Sequence, residues 1–395
     1  MKFLHTSDWH LGKIFFEHSL IEDQKHILNQ IIEELRKAES DKAPYDALIV
    51  AGDVYDRPVP PPEAVSFFDN FLNSIHSEFP ELHLFFSSGN HDSATRISFG
   101  AGLFHSQNIH IATRADECDR GIVVGSGDKA AIVYQIPFLT LGSLSLEDGT
   151  VLRHQDELVG EACARIKKAH GKNELPAVVT AHVFAGSSAL DGSEKNFVGT
   201  AEQIDANHFK SFNYTALGHI HKPQQAGSEN VRYCGSPLAY TFGENNRKIM
   251  LRVEVTKDRT EFTEIEFNPL HKVTRLEGTY EDFMSGPFSE NRDDYLELLC
   301  TDSFCHDNPM EALRGKFPNL LSFRMQRSEA GGQNMAIQER KKALENIASG
   351  DYGKLFSLFM NDIYKNNREE LESDLFRKEQ KLFIKTAEEV GAGEE

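Results

Sequence analysis

Nine side chains that can hold ions or move protons fall into five clusters along the 395-residue chain: Asp8 and His10; Asp53; Asn90, His91 and Asp92; His182; and His219 with His221. Asp8 and His10 stand two apart, so on a loop both can turn toward one ion. Gly52 before Asp53 lets the backbone turn sharply and come close to a bound ion. Gly89-Asn90-His91-Asp92 combines a neutral oxygen ligand, an imidazole that can ligate or carry a proton, and a carboxylate that can fix the imidazole tautomer. In Gly218-His219-Ile220-His221, two histidines after a glycine can face two neighbouring ions. Any one of these stretches alone reads as an ordinary turn. Together they supply carboxylate, imidazole and amide donors without thiolate, which suits two ions such as manganese, iron or zinc and disfavours a structural zinc. Two such ions about 3.5–4 Å apart, sharing a carboxylate, can activate a water for in-line attack on phosphorus, so phosphate-ester hydrolysis is the chemistry this donor set serves.

The runs that must position these side chains are short and apolar. Phe3 to Thr6, Ala47 to Ala51, Leu82 to Phe86, Ala177 to Thr180 and Tyr214 to Leu217 read as buried strands, each ending where a cluster begins. Open α/β sheets place their ligands beyond the carboxyl ends of strands. Ile132 to Ile136, Val231 to Cys234 and Ile249 to Val255 add further strands. Ser19-Leu20-Ile21-Glu22 has the form of a capping box, and Leu20, Ile27, Leu28, Ile31 and Leu35 then recur at helical spacing up to about Lys37. After Pro58, Pro60 and Pro61 a second helix begins at Pro62 or Glu63. It carries one stripe of Val65, Phe68, Leu72 and Ile75 and another of Phe67 and Phe71, so it either covers its own sheet and meets a partner or is buried on both sides within one chain. From about His271 the texture changes to strands at Val273–Leu276, Tyr295–Cys300 and Leu320–Met325, with short helices starting at Thr279 and Asn308. Gly331-Gly332-Gln333-Asn334 reads as a hinge. Beyond it, Tyr352, Leu355, Phe356, Phe359 and Ile363 form one amphipathic stripe and Leu371, Leu375, Leu382 and Phe383 another, before an acidic tail.

Composition narrows the function classes. A length of 395 residues predicts two or three domains, and 39% hydrophobic with 26% charged residues fits a protein with a substantial core. No apolar run approaches the roughly 20 residues needed to cross a bilayer, and the amino terminus turns polar too quickly for a secretory signal, so a cytoplasmic protein is expected. The formal charge of -19 argues against nucleic-acid binding by the whole surface while leaving room for a local groove at bound cations. Five scattered cysteines, at 118, 163, 234, 300 and 305, lack Cys-x-x-Cys spacing and form no disulfide framework or zinc-thiolate site. His18, His26, His76, His83 and His105 have no partner pattern and read as solvated or packed. No Walker-type phosphate loop occurs.

The series Asp-x-His, Gly-Asp-x-x-Asp, Gly-Asn-His-Asp, His, Gly-His-x-His resembles that of the calcineurin-like metallophosphoesterases. Within that superfamily, four stretches are similar to bacterial relatives of the nuclease in the eukaryotic double-strand-break repair complex: Thr6 to Gly12, Gly52 to Pro58, Ala216 to His221 and Tyr233 to Leu238. The likeness covers roughly residues 1 to 330, the helical tail matching in kind rather than in motif. It implies an α/β fold with a two-sheet sandwich flanked by helices over residues 1–270, a small α/β capping domain that touches DNA over 271–330, and a helical segment over 331–395 that grips an ATPase partner. It implies two divalent ions, most often manganese. One would be held by Asp8, His10, Asp53 and His221, the other by Asp53, Asn90, His182 and His219. His91 would be catalytic, orienting the scissile phosphate or protonating the leaving oxygen, with Asp92 supporting its ring, and Asp56 and Arg57 would tie down the loop beneath the ions. A homodimer, placed on helix 62–76, is also implied. A metal-dependent DNA exo- and endonuclease is the leading expectation. A phosphatase or phosphodiesterase acting on a small molecule or phosphoprotein, and a DNA-end-bridging scaffold with little catalysis, are the alternatives.

Overall fold

The computed structural model describes residues 1–146, 148–186, 202–286, 288–302 and 308–326, together with 356, 378 and 380–386. The chain divides into two compact units, Met1–Met325 and Gln326–Glu395.

The first unit is built on two six-stranded sheets. In one, the strands Lys2–Thr6, Ala47–Val50, His83–Ser87 and Ile109–Ala112 run parallel and adjacent, and Ile249–Val255 and Thr260–Glu266 extend the sheet antiparallel beyond Lys2–Thr6. The other has the order Gln224–Ala226, Ser228–Tyr233, Tyr214–Gly218, Ala177–His182, Ala131–Ile136, Ile122–Val124, with Ser228–Tyr233 through Ala131–Ile136 parallel. Strands buried on both faces are largely apolar, and Ala47–Val50 and Ala177–His182 are buried at every position.

One core lies between the sheets, where Phe3, Ile49 and Phe85 of the first meet Val133, Val178 and Tyr214 of the second. Buried polar atoms crossing this layer are paired, as burial requires: Ser87 Oγ lies 2.7 Å from Thr180 Oγ1 and His5 Nδ1 lies 3.0 Å from the Tyr214 hydroxyl. The helices Ile21–Ser40 and Pro62–Glu78 cover the outer face of the first sheet, and Gln155–His170 covers that of the second. The fold is thus the expected α/β sandwich flanked by helices.

Three local features differ from the sequence expectation. Ser19 does not cap the first helix: the N-cap is Leu20, without a side-chain cap hydrogen bond, and Ser19 belongs to a two-residue strand, His18–Ser19, paired with Ile14–Phe15. The helix Pro62–Glu78 buries Phe68, Phe71, Leu72 and Ile75 together and leaves Val65 exposed, so its two stripes merge into one wide inward face with Phe67 at the margin. The helix Gln155–His170 lies in a stretch where the sequence suggested no element.

Toward the end of the first unit, the parallel strands Val273–Gly278, Tyr295–Cys300 and Leu320–Met325 form a three-stranded sheet with their own core of Phe283, Leu296, Leu298, Leu313 and Phe317. The helix Tyr280–Ser285 opens with a capping box at Thr279. Cys118, Cys163, Cys234 and Cys300 are buried free thiols. Most of the tail stripes fall outside the described residues; of those described, Phe356 and Phe383 pack ring to ring at 5.2 Å. No helix among the described residues is long and apolar enough to cross a membrane.

Candidate metal centre

Both sheets deliver their donors at the carboxyl ends of strands: Asp8 after Lys2–Thr6, Asp53 after Ala47–Val50 and Asn90 after His83–Ser87 on one side, and His182 and His219 from Ala177–His182 and Tyr214–Gly218 on the other. The loops leave the strands in left-handed backbone, with φ of 53° at Asp8, 46° at His10, 49° at Asp53 and 101° at His219. Such backbone costs a non-glycine residue about 1–3 kcal/mol and persists only where its surroundings over-determine it. Here the Asp8 N–H donates to the Gly52 carbonyl and the His10 N–H to the Asp53 carbonyl, each at 3.0 Å, stitching the first loop to the second. Trp9 between them is fully buried, its ring 5.2 Å from Phe71 and 5.9 Å from Phe86, which locks the loop to the helix Pro62–Glu78. Gln24 on the first helix donates to the carbonyls of Trp9 and His10 and accepts from the Gly12 N–H.

The donors gather in two groups. His10 Nε2 and His221 Nε2 face each other at 3.1 Å, with a carboxylate oxygen of Asp8 close by. Asn90 Oδ1 lies 2.9 Å from His182 Nε2 and 3.0 Å from His219 Nδ1. Asp53 Oδ2 reaches both groups, 3.7 Å from His10 Nε2 and 3.3 Å from His182 Nε2. Glycine is required three times here, first at Gly218, where a Cβ would sit 1.8 Å from the Ala51 carbonyl oxygen. A Cβ on Gly52, whose φ is +90°, would sit 2.1 Å from His182 Nδ1, and one on Gly89 would sit 2.1 Å from Asp53 Oδ1.

The charges balance unevenly. Burial alone would push the Asp53 carboxyl up, but the facing His182 overrides it and holds Asp53 well below the carboxylate range. The same pair raises His182 to about 9 against its own burial. Burial, with His182 beside it, lowers His219 to about 3, and burial also lowers His10. Asp92 is pushed up to about 6 by burial and then by the Asp53 charge. Buried imidazole nitrogens 3.1 Å apart call for a proton or a cation between them, and His10 Nδ1 is buried without a hydrogen-bond partner. This oxygen and imidazole donor set, without thiolate, fits divalent cations.

His91 stands beside the first group, its ring 4.7 Å from that of His10, and His10, Asp56 and His91 form a further grouping of donors. Its ring Nδ1 lies 2.8 Å from the Asp56 carbonyl. The Asp92 carboxylate accepts from the backbone N–H groups of Val54, Tyr55 and Gly89, holding two donor loops together. The Asp56 side chain accepts from Lys13 Nζ at 2.8 Å and lies 3.5 Å from His10 Nδ1, whereas Arg57 is exposed. Sequence reasoning missed Gln24, Ser7, whose hydroxyl donates to Asp8 at 2.5 Å, and Glu244, whose carboxylate lies 3.3 Å from His221 Nδ1. Of these, only Ser7 falls inside one of the motif stretches.

The family model of the calcineurin-like phosphoesterases matches residues 1–223, which end just past His221. The chain belongs to that family and is a metal-dependent phosphoester hydrolase. Among curated proteins it is similar to the D subunit of nuclease SbcCD from Staphylococcus epidermidis, at 28% identity over 82% of this chain and 84% of that one. It is equally similar to the D subunit of nuclease SbcCD from Staphylococcus saprophyticus, at 28% identity over the same shares of each chain.

Proposed function

We propose that this chain is a DNA nuclease dependent on two divalent ions, Mn2+ by preference, acting in the cytoplasm as the SbcD component of an SbcCD-type complex in DNA recombination and repair. In this reading it degrades double strands as an exonuclease and opens single strands and hairpins as an endonuclease. The observation that carries the two-ion reading is Asp53 Oδ2 within 3.7 Å of one donor group and 3.3 Å of the other. Asp8, His10, Asp53 and His221 would hold one ion, and Asp53, Asn90, His182 and His219 the other. When bound, the pair of ions supplies Lewis acidity and an activated water at phosphorus.

The protein's part is to hold donors and move one proton. Asp8 is fixed by the Ser7 hydroxyl and the His219 N–H, and Asp53 Oδ1 by the His91 N–H. His91, with Nδ1 on the Asp56 carbonyl, presents Nε2 as the atom that orients the phosphate or protonates the leaving oxygen. Residues 271–330 would contact DNA, the helical segment over 331–395 would bind the SbcC ATPase, and helix 62–76 would form a homodimer in which exposed Val65 takes part.

Incubating the purified protein and Mn2+ with labelled duplex DNA, hairpin DNA and p-nitrophenyl phosphate tests the activity. Cleavage of both DNA forms supports the reading. Cleavage of the small ester alone refutes the nuclease, and metal binding without turnover refutes catalysis in favour of a DNA-bridging scaffold.

A further inference from the structure

Behind His221, on the side away from the other donors, lies a polar cluster that the donor geometry does not explain. Glu244 is 3% exposed, Lys248 8% and Ser236 0%, in a stretch that forms neither helix nor strand. Glu244 Oε1 lies 3.3 Å from His221 Nδ1 and accepts the Tyr240 N–H at 3.2 Å. Its Oε2 accepts from Lys248 Nζ at 2.6 Å and from the Ser236 hydroxyl at 3.4 Å. Lys248 Nζ also donates to Ser236 Oγ at 3.0 Å and to the backbone carbonyl of His221 itself at 3.3 Å. A buried carboxylate and ammonium are costly to desolvate, and apolar residues of the same volume commonly serve stability as well. Their placement, on the one ring nitrogen that does not face the other donors, points to a role at the site.

We infer that Glu244 is a positioning residue that fixes the tautomer of His221, and that Lys248 fixes Glu244. A carboxylate can only accept, so the imidazole proton is held on Nδ1. The lone pair then stays on Nε2, the nitrogen that faces His10 Nε2 at 3.1 Å. Metal-bound histidines are commonly oriented in this way through their other nitrogen. Lys248 offsets part of the charge of Glu244, and the carboxylate adds direction to the field that remains at His221. The inference rests on His221 being a metal ligand, but its test needs no nucleic acid, so failure here and failure of the nuclease reading are separate results.

The test uses two variants of nearly unchanged shape. In Glu244→Gln, one amide oxygen must serve either Lys248 or His221. An amide NH2 turned toward the Lys248 ammonium would set a donor against a charged donor, which costs more than setting it against the neutral Tyr240 N–H, so the oxygen stays with Lys248 and the amide NH2 faces His221 Nδ1. The ring then carries its proton on Nε2. In Glu244→Gln/Lys248→Met the oxygen is free to turn back to Nδ1–H. Long-range 1H–15N NMR of the metal-free protein reads the tautomer, and calorimetric titration with Mn2+ alone reads affinity. The expected result is an inverted His221 tautomer and a roughly 10–100-fold weaker binding step at one of two sites in Glu244→Gln, with both restored to near the native values in the double variant. Unchanged tautomer and affinity in Glu244→Gln, or equal loss in both variants, overturns the inference. Should Glu244→Gln fail to fold, the double variant is compared with Glu244→Ala/Lys248→Met, which offers Nδ1–H no acceptor and must lose the affinity that the amide retains.

Discussion

Gly52→Ala probes how tightly the backbone and the donors are coupled. The added methyl costs twice. Left-handed backbone at φ +90° penalises alanine by about 1–3 kcal/mol. The new Cβ also lies 2.1 Å from His182 Nδ1, 2.5 Å from its Cγ and 2.8 Å from its Cβ, where ordinary contact begins at 3.4 Å, so the ring must withdraw by more than 1 Å. His182 is fully buried and bonded to the Ala51 carbonyl and to Asn90 Oδ1, both at 2.9 Å. Losing two such bonds costs about 1–1.5 kcal/mol each, for a total near 3–6 kcal/mol. In a His182→Gly background, which removes the Cβ contact at 2.8 Å as well as the ring, only the backbone part remains, about 1–3 kcal/mol. A double-mutant cycle by urea denaturation of the metal-free protein should therefore show a coupling of about 2–3 kcal/mol, and Gly52→Ala should weaken one of two Mn2+ binding steps. Equal cost in both backgrounds, or native Mn2+ affinity in Gly52→Ala, refutes the steric argument.

Asp53→Ala should abolish binding of both ions in a calorimetric titration, whereas His91→Ala should keep both and lose turnover; equal metal loss in the two variants refutes their separate roles. Because His182 sits at about 9 in the metal-free protein, a proton competes with metal below that value, so Mn2+ affinity should rise about tenfold per pH unit between pH 7 and 8. The same raised value runs the other way for the metal-free fold, whose gain from protonated His182 is complete below the ordinary histidine range and is lost as pH rises through about 9; a pH-independent Mn2+ titration refutes both. Asp92→Ala should lower stability by about 3–5 kcal/mol in urea, since three backbone N–H donors lose their acceptor at about 1–1.5 kcal/mol each, and a loss under about 1 kcal/mol refutes that load on Asp92. Deleting residues beyond about 334 should leave basal cleavage intact and abolish capture of the SbcC ATPase in a pull-down, and an intact complex refutes that assignment.

The strands that carry the donors were legible because each is a run of apolar residues ending in glycine or a polar cluster, and burial on both faces leaves no other composition open to them. Trp9 and the inward set of the helix Pro62–Glu78 were only half legible. Periodicity gave the helix, but whether Phe71 joins Phe68 on one face depends on where the Trp9 ring arrives from a loop distant in sequence. The supporting groups were legible only in part: Asp56 and Asp92 fall inside the motifs, whereas Gln24 and Glu244 lie outside them. Glu244 lies 23 residues from His221, and Asp92 binds backbone amides. Contacts of that kind depend on loop closure and leave no spacing to read.

The placement of charge accounts for the rest. Asp8, Asp53 and Asp56 lie among the donors and Asp92 feels the Asp53 charge, in a chain whose formal charge is -19, so negative charge concentrates where a phosphate diester would react. Main-chain groups fix these side chains. Backbone N–H groups hold Asp8, Asp53 and Asp92, and backbone carbonyls hold His182 and His91. A donor set fixed by main chain and strained at four of its own φ angles is held rigidly for the ions it would bind. Bound divalent cations would reverse the local field at these carboxylates and favour a phosphate there.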